Sequence, residues 1–165
     1  MSFRFSKRAL PMAFVLALGG LSLTAGLAKA ESNDGNDMTG SWRFTLARTL
    51  PPPAMQLLAL TTFTKEGTFI GTVQADGICC PTEGPAHGVW TKTSHNTFAV
   101  YFETIFHLGD LSLFGVLEMR MTLTLDEKDG KVKGHFQGAI VDPVSGIVKA
   151  PVVGDLTGQR IRIQP

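Results

Sequence analysis

Tyr101, Glu103, Glu118 and Arg120 are the residues of this 165-residue chain whose types and spacing offer the most chemistry. They fall at alternate positions of two neighbouring extended runs, "TFAVYFETIFHL" and "GVLEMRMTLTLD", so strand parity puts each on the more polar face of its run. Facing inward, they would be a buried acid or base, a phenol proton donor and a guanidinium, costly unless paired with one another or with a ligand. Facing outward, Glu103 and Arg120 are a cross-strand surface pair worth about a few tenths of a kcal/mol. The apolar faces opposite them favour the outward arrangement.

The other reactive types make weaker sets. Cys79, Cys80, His87 and His95 include the ligand types of a Zn or Cu(I) site. The C-x₂-C spacing is missing, however, and adjacent sulfurs strain to reach one ion, so no metal is expected. Neighbouring Cα atoms are about 3.8 Å apart, below the roughly 4.4 Å lower limit for an ordinary disulfide. That leaves a strained ring, an interchain bridge giving a homodimer, or two loop thiols without a role. His135 alternates with Lys133 and Gln137 and reads as part of a solvated strand face. Ser145, in "DPVSGIV", lacks the G-x-S-x-G elbow. There is no phosphate loop and no dinucleotide fingerprint, and the chain implies no cofactor.

The elements that must position these residues begin after the first thirty. Arg4, Lys7 and Arg8 precede an apolar stretch broken by Pro11, Gly19 and Gly20, and Ala28-Lys29-Ala30 supplies a small-x-small cleavage pattern. Residues 1–30 are therefore expected to be a cleaved signal peptide, with no cysteine at the junction for a lipid anchor. This gives a periplasmic or secreted protein that meets the membrane only through the signal before cleavage. Residues 31–39, including "ESNDGND", are polar and turn-rich and read as a disordered lead-in. From residue 31 onward there are eleven basic and fourteen acidic residues, a formal charge of −3. With no basic cluster, nucleic acid is excluded as a partner.

Runs of Thr, Val, Ile and Phe punctuated by Gly, Asp and Pro predict strands near 42–48, 58–64, 68–75, 86–92, 97–107, 113–126, 131–142 and 147–162. Only "PPPAMQLLAL" resists; its prolines fix an extended entry, which leaves room for a turn of helix before the strand near 58–64. Alternation is clearest where Leu117, Met119, Met121, Leu123 and Leu125 share one face. About eight sequential antiparallel strands with short turns predict an all-β domain over 40–165. A single closed up-and-down barrel is favoured over a sandwich because closure removes the exposed edges.

Gly40-Ser41-Trp42 at the head of the first strand resembles the G-x-W motif of lipocalins and other calycins. In that superfamily a basic residue near the end of the last strand packs across the tryptophan and closes one end of the barrel. The resemblance implies that Arg160 or Arg162, in "GQRIRI", does so for Trp42, a cation–π contact sealing the floor. A second instance, Gly88-Val89-Trp90, lies in mid-sequence, and neither the lipocalin T-D-Y turn motif nor a C-terminal helix is present. A shorter calycin-like or allene-oxide-cyclase-like barrel is thus the nearer likeness. "GPAHGVWTKTSHNTFAVYF" is also similar to bacterial lipocalin-like domain proteins.

A barrel of this size has room to be filled or to hold one small ligand. The expected function is an exported binding protein that holds a small hydrophobic molecule against Phe69, Phe102, Met119, Met121 and Phe136. One alternative is a cofactor-free cyclase or isomerase of the allene-oxide-cyclase type, with Glu103 or Glu118 as acid or base and Tyr101 as proton donor. Another is an envelope interaction module.

Overall fold

The computed structural model describes residues 37–74 and 82–163. The expected signal segment, the lead-in up to residue 36, and Cys79 and Cys80 lie outside these. Nine strands follow in order: β1 (Gly40–Leu50), β2 (Met55–Phe63), β3 (Thr68–Val73), β4 (Thr82–Glu83), β5 (Ala86–Lys92), β6 (Thr97–His107), β7 (Leu113–Asp126), β8 (Lys131–Val141) and β9 (Val148–Arg160). There is no helix among the described residues.

Every pairing is antiparallel. β1 bonds to both β2 and β9, and β6 bonds to both β5 and β7. The eight long strands thus close into one up-and-down barrel, while two-residue β4 adds to the end of β6. Closure gives the edge carbonyls and amides of β1 and β9 partners that an open sheet would leave to solvent.

The strand parity read from the sequence is the parity of the wall. Trp42, Phe44 and Leu46 point inward from β1, Phe98, Val100 and Phe102 from β6, and Leu117 to Leu125 at alternate positions from β7. The inner wall mixes large and small residues so that opposing rows interdigitate. Phe44 lies opposite Gly158, where a Cβ would fall 2.3 Å from the Phe44 ring. Phe136 is similarly opposite Gly154, where a Cβ would come within 2.5 Å of the ring. The glycines make space for rings that reach across a narrow barrel.

One end is packed shut. Trp42, Phe44, Phe63, Phe69, Trp90 and Phe98 form a continuous run of ring contacts with centroids 5.2–6.4 Å apart. Trp42 is wholly buried, and its indole N–H donates to the carbonyl of Met38 at 2.8 Å. The Arg160 guanidinium lies over the Trp42 ring, 4.5 Å from its centroid. It also donates to the backbone carbonyls of Asp37 and Thr39. Partial burial draws its pKa down while Asp37 pulls the other way, and a guanidinium remains charged under any such shift. Of the two arginines expected at this position, Arg160 makes the contact, and Arg162 is exposed beyond the end of β9.

Two details differ from the sequence reading. The segment after the prolines is strand from Met55 onward, with no turn of helix. Its helix-favouring Met, Gln and Leu are overridden by pairing with β1, Leu46 opposite Leu57 and Arg48 opposite Met55. Residues 37–39, placed in the lead-in, are fastened to the closed end: Met38 is fully buried and Thr39 bonds to Asp37.

Replacing Arg160 by Met removes the stacking, and the two carbonyls lose their donor. Urea unfolding is expected to show a loss of about 1–3 kcal/mol. Arg162→Met should stay within about 0.5 kcal/mol of the parent. Equal effects would show that the stacking contributes nothing particular.

Candidate functional site: an apolar cavity at the open end

The packed end and the alternating strand directions leave the other end to the turns after β1, β6 and β8. Here the barrel keeps a cavity of about 120 Å³. Four residues expected to contact a ligand line it: Phe102, Met119, Met121 and Phe136. The fifth, Phe69, sits deeper, stacked on Phe102 at 5.0 Å beside a small void of about 30 Å³. Leu46, Leu57, Val73, Phe106, Leu117, Ile140 and Val152 complete the apolar wall, and Pro51 is also part of the lining. The two methionines suit such a site because an unbranched thioether adapts to an irregular guest.

Two ionisable groups break this apolar lining, and neither was singled out from sequence. Arg48 continues the inward row of Trp42, Phe44 and Leu46 and reaches the mouth of the cavity. One terminal nitrogen donates to the Pro53 carbonyl at 3.3 Å, while its buried Nε has no hydrogen-bond partner among the described residues. The signal for Arg48 was present in the sequence as its parity with Trp42. Glu83 had no such signal, since "CCPTEGPAH" carries no periodicity.

Glu83 is held over the mouth by β4, where it lies opposite Phe106. The next residue is anchored twice: Gly84 N–H donates to the Ile105 carbonyl at 2.9 Å, and the buried Thr104 hydroxyl donates to the Gly84 carbonyl at 2.8 Å. Thr104 occupies an inward position of β6 that would otherwise be apolar, and this bond satisfies its hydroxyl. Burial pushes the Glu83 carboxyl up from 4.5 to about 7. Desolvation penalises the charged form, and no neighbouring cation offsets it here.

The set that opened the sequence reading is assembled, but on the outside. Tyr101 donates to Glu103 at 2.8 Å, and the Arg120 guanidinium lies 5.4 Å from the Tyr101 ring centroid. Glu103, Glu118 and Arg120 are exposed, and Glu103 lies opposite Glu118 in the β6–β7 register. The hydrogen bond to Glu103, with burial and the two carboxylates adding to it, pushes the Tyr101 phenol up to about 12. These residues do not face the cavity, because the apolar alternates Val100, Phe102, Met119 and Met121 take the inward positions. Chemistry inside the barrel therefore cannot use them as its acid, base or proton donor.

The histidines are dispersed. His135 Nδ1 is 3.1 Å from Asp155 on the outer wall, and His95 Nε2 is 3.1 Å from Glu127 at the closed-end turns. His87 is the second residue of β5, at the other end of the barrel, so it and His95 do not converge. Among the described residues no group of three or more His, Cys, Asp or Glu is placed to hold a metal ion. Ser145 lies in the β8–β9 turn, where its amide caps the Asp142 carboxylate at 2.9 Å.

Fold and site define a class: a closed eight-stranded antiparallel barrel with an apolar interior cavity open at one end. No family model, no curated protein and no solved structure matches the chain.

The raised pKa of Glu83 makes stability pH-dependent. Below pH 4.5 the carboxyl is protonated both folded and unfolded and costs nothing. As pH rises from 4.5 to about 7 the unfolded chain ionises first, so stability falls through that window and the penalty is complete above it. Glu83→Gln should raise Tm by about 2–6 °C at pH 8 and by less than about 1 °C at pH 4.5. Thermal melts monitored by circular dichroism at the two pH values check this; a variant no more stable than the parent at pH 8 would show Glu83 well solvated.

Proposed function

We propose that the protein is an exported carrier that holds a small hydrophobic molecule in the open end of a calycin-type barrel. The observation that carries this reading is the cavity itself, walled by leucine, methionine and phenylalanine from five strands and unfilled by the described side chains. A core whose purpose was stability alone would gain by filling such a space, since an apolar void forfeits dispersion contacts along its whole lining. Its volume of about 120 Å³ approaches the roughly 150 Å³ that admits a benzene ring in other proteins. The guest is thus small, or leaves part of itself at the mouth.

Export is supported by the charged, apolar and small-residue order of the first thirty residues. The calycin assignment is supported by Trp42 and Arg160 at the closed end, the contact that the G-x-W resemblance leads one to expect. The cyclase reading loses its named residues to the outer wall, and the carrier reading needs none of them.

Titration of the natively purified protein with N-phenyl-1-naphthylamine, an uncharged fluorophore, should give saturable binding. Met119→Trp, which fills the cavity, should weaken it at least tenfold, with melting curves confirming that the variant folds. Thr122→Trp, on the outer face of the same strand, should bind like the parent. Binding unaffected by Met119→Trp, or no binding to the parent, would refute the carrier reading.

A further inference from the structure

The mouth of this cavity is not apolar, and its two charged residues differ in what they leave open. We infer that the ligand carries an acidic head group, a carboxylate, received by the Arg48 guanidinium at the mouth while its apolar part fills the cavity below. This rests on the carrier reading and narrows it to hydrophobic acids.

The argument starts from Arg48. A buried N–H without an acceptor costs free energy, and a charged donor left so is costlier than a neutral one. Arg48 spends one terminal nitrogen on Pro53, and its Nε is unanswered by any of the described residues. The Nε edge of the guanidinium matches a two-oxygen acceptor: Nε–H and the N–H beside it, on the terminal nitrogen that now makes the long bond to Pro53, are parallel donors at the spacing of a carboxylate, which would share or replace that bond. The inward row from Trp42 to Leu46 sets Arg48 at the end of the apolar wall, one strand residue pair beyond Leu46. An amphipathic acid has the same order, apolar and then anionic. An ammonium head would instead meet a fixed cation, and a plain hydrocarbon would leave the donor unmet.

Glu83 sets the condition for entry. Arg48 is the other charged group among the described residues lining the cavity, and Gln74, just past the end of β3, is a further polar one. His107, on β6 beside β4, is not part of the lining. A neutral Glu83 carboxyl can donate to a ligand oxygen. Once ionised it has no proton to donate and repels a carboxylate held at the same mouth. Its pKa of about 7 places the change well above the range in which simple carboxylic acids ionise, roughly 4–5. The ligand is therefore anionic throughout, and the protein's own proton decides how well it is held. Affinity for an acid should fall as pH rises from 6 to 8.

Calorimetric titration of the purified protein with octanoic acid, 1-octanol and octylamine tests this. At pH 6 octanoate should bind about tenfold more tightly than octanol, the effect of one charge-assisted hydrogen-bonded pair, and octylamine should be the weakest. The octanoate-to-octanol ratio should fall to near one in Arg48→Met and to an intermediate value in Arg48→Lys, which keeps the charge but not the fork. The parent should lose octanoate affinity several-fold between pH 6 and pH 8, and Glu83→Gln should abolish that loss. If octanol or octylamine binds the parent as tightly as octanoate, the acid-head inference falls and the carrier reading stands. If none of the three binds, and the uncharged fluorophore also fails, both fall.

Discussion

The contact between Trp42 and Arg160 joins the first strand of the barrel to the last, and the other features of the fold are arranged around it. An antiparallel meander of eight strands has two free edges until β1 meets β9. The backbone ladder between them supplies the bonds, and the guanidinium over the indole ring fixes the register, with Trp42 directly opposite Arg160. The same guanidinium ties down the carbonyls of Asp37 and Thr39, so the chain entering β1 becomes the lid of the closed end. Met38, under that lid, is as buried as any residue of the core.

Sealing one end divides the barrel along its axis. The aromatic run from Trp42 through Phe63 to Phe98 fills the closed half, with glycines on facing strands making way for the rings. The open half has the same alternation, but there Phe102, Met119, Met121 and Phe136 stand among Leu57, Val73, Ile140 and Val152, and these described side chains fail to meet in the middle. The cavity thus follows from the mix of residues along the inward rows at this end. The charged residues at its mouth are the point at which the inward rows run out into solvent.

Much of this was legible in the sequence because strand parity is a short-range property. The inward rows of β6, β7 and β8 could be read directly, and strands β5 to β7 fall at the expected residues. Trp42 and a terminal arginine could be paired through resemblance, though the choice of Arg160 over Arg162 needed the register. β2 was harder because Leu58 and Leu60 face solvent, so "LLALT" shows no polar alternates to mark its two faces. The polar set on β6 and β7 attracted notice through its residue types, and direction decided against it. Glu83 escaped notice for the opposite reason: its neighbours in sequence say nothing of burial, which comes from the pairing of β4 with β6 at the mouth of the cavity.

The junction of β1 with β9 also bears on the order of assembly. Thr39 and Arg160, which it holds together, are 121 positions apart, so the closing contact is nearly as non-local as the chain permits. Successive hairpins from β5 to β9 can form as each strand becomes available, since each pairs with its immediate predecessor. β1 can zip to β2 early but must wait for the last strand to cover its other edge. Until then the aromatic half of the core is open on one side. A chain delivered from its N-terminus therefore cannot complete this fold before its C-terminal strand is free, and loop-closure entropy makes that final step slow relative to the hairpins.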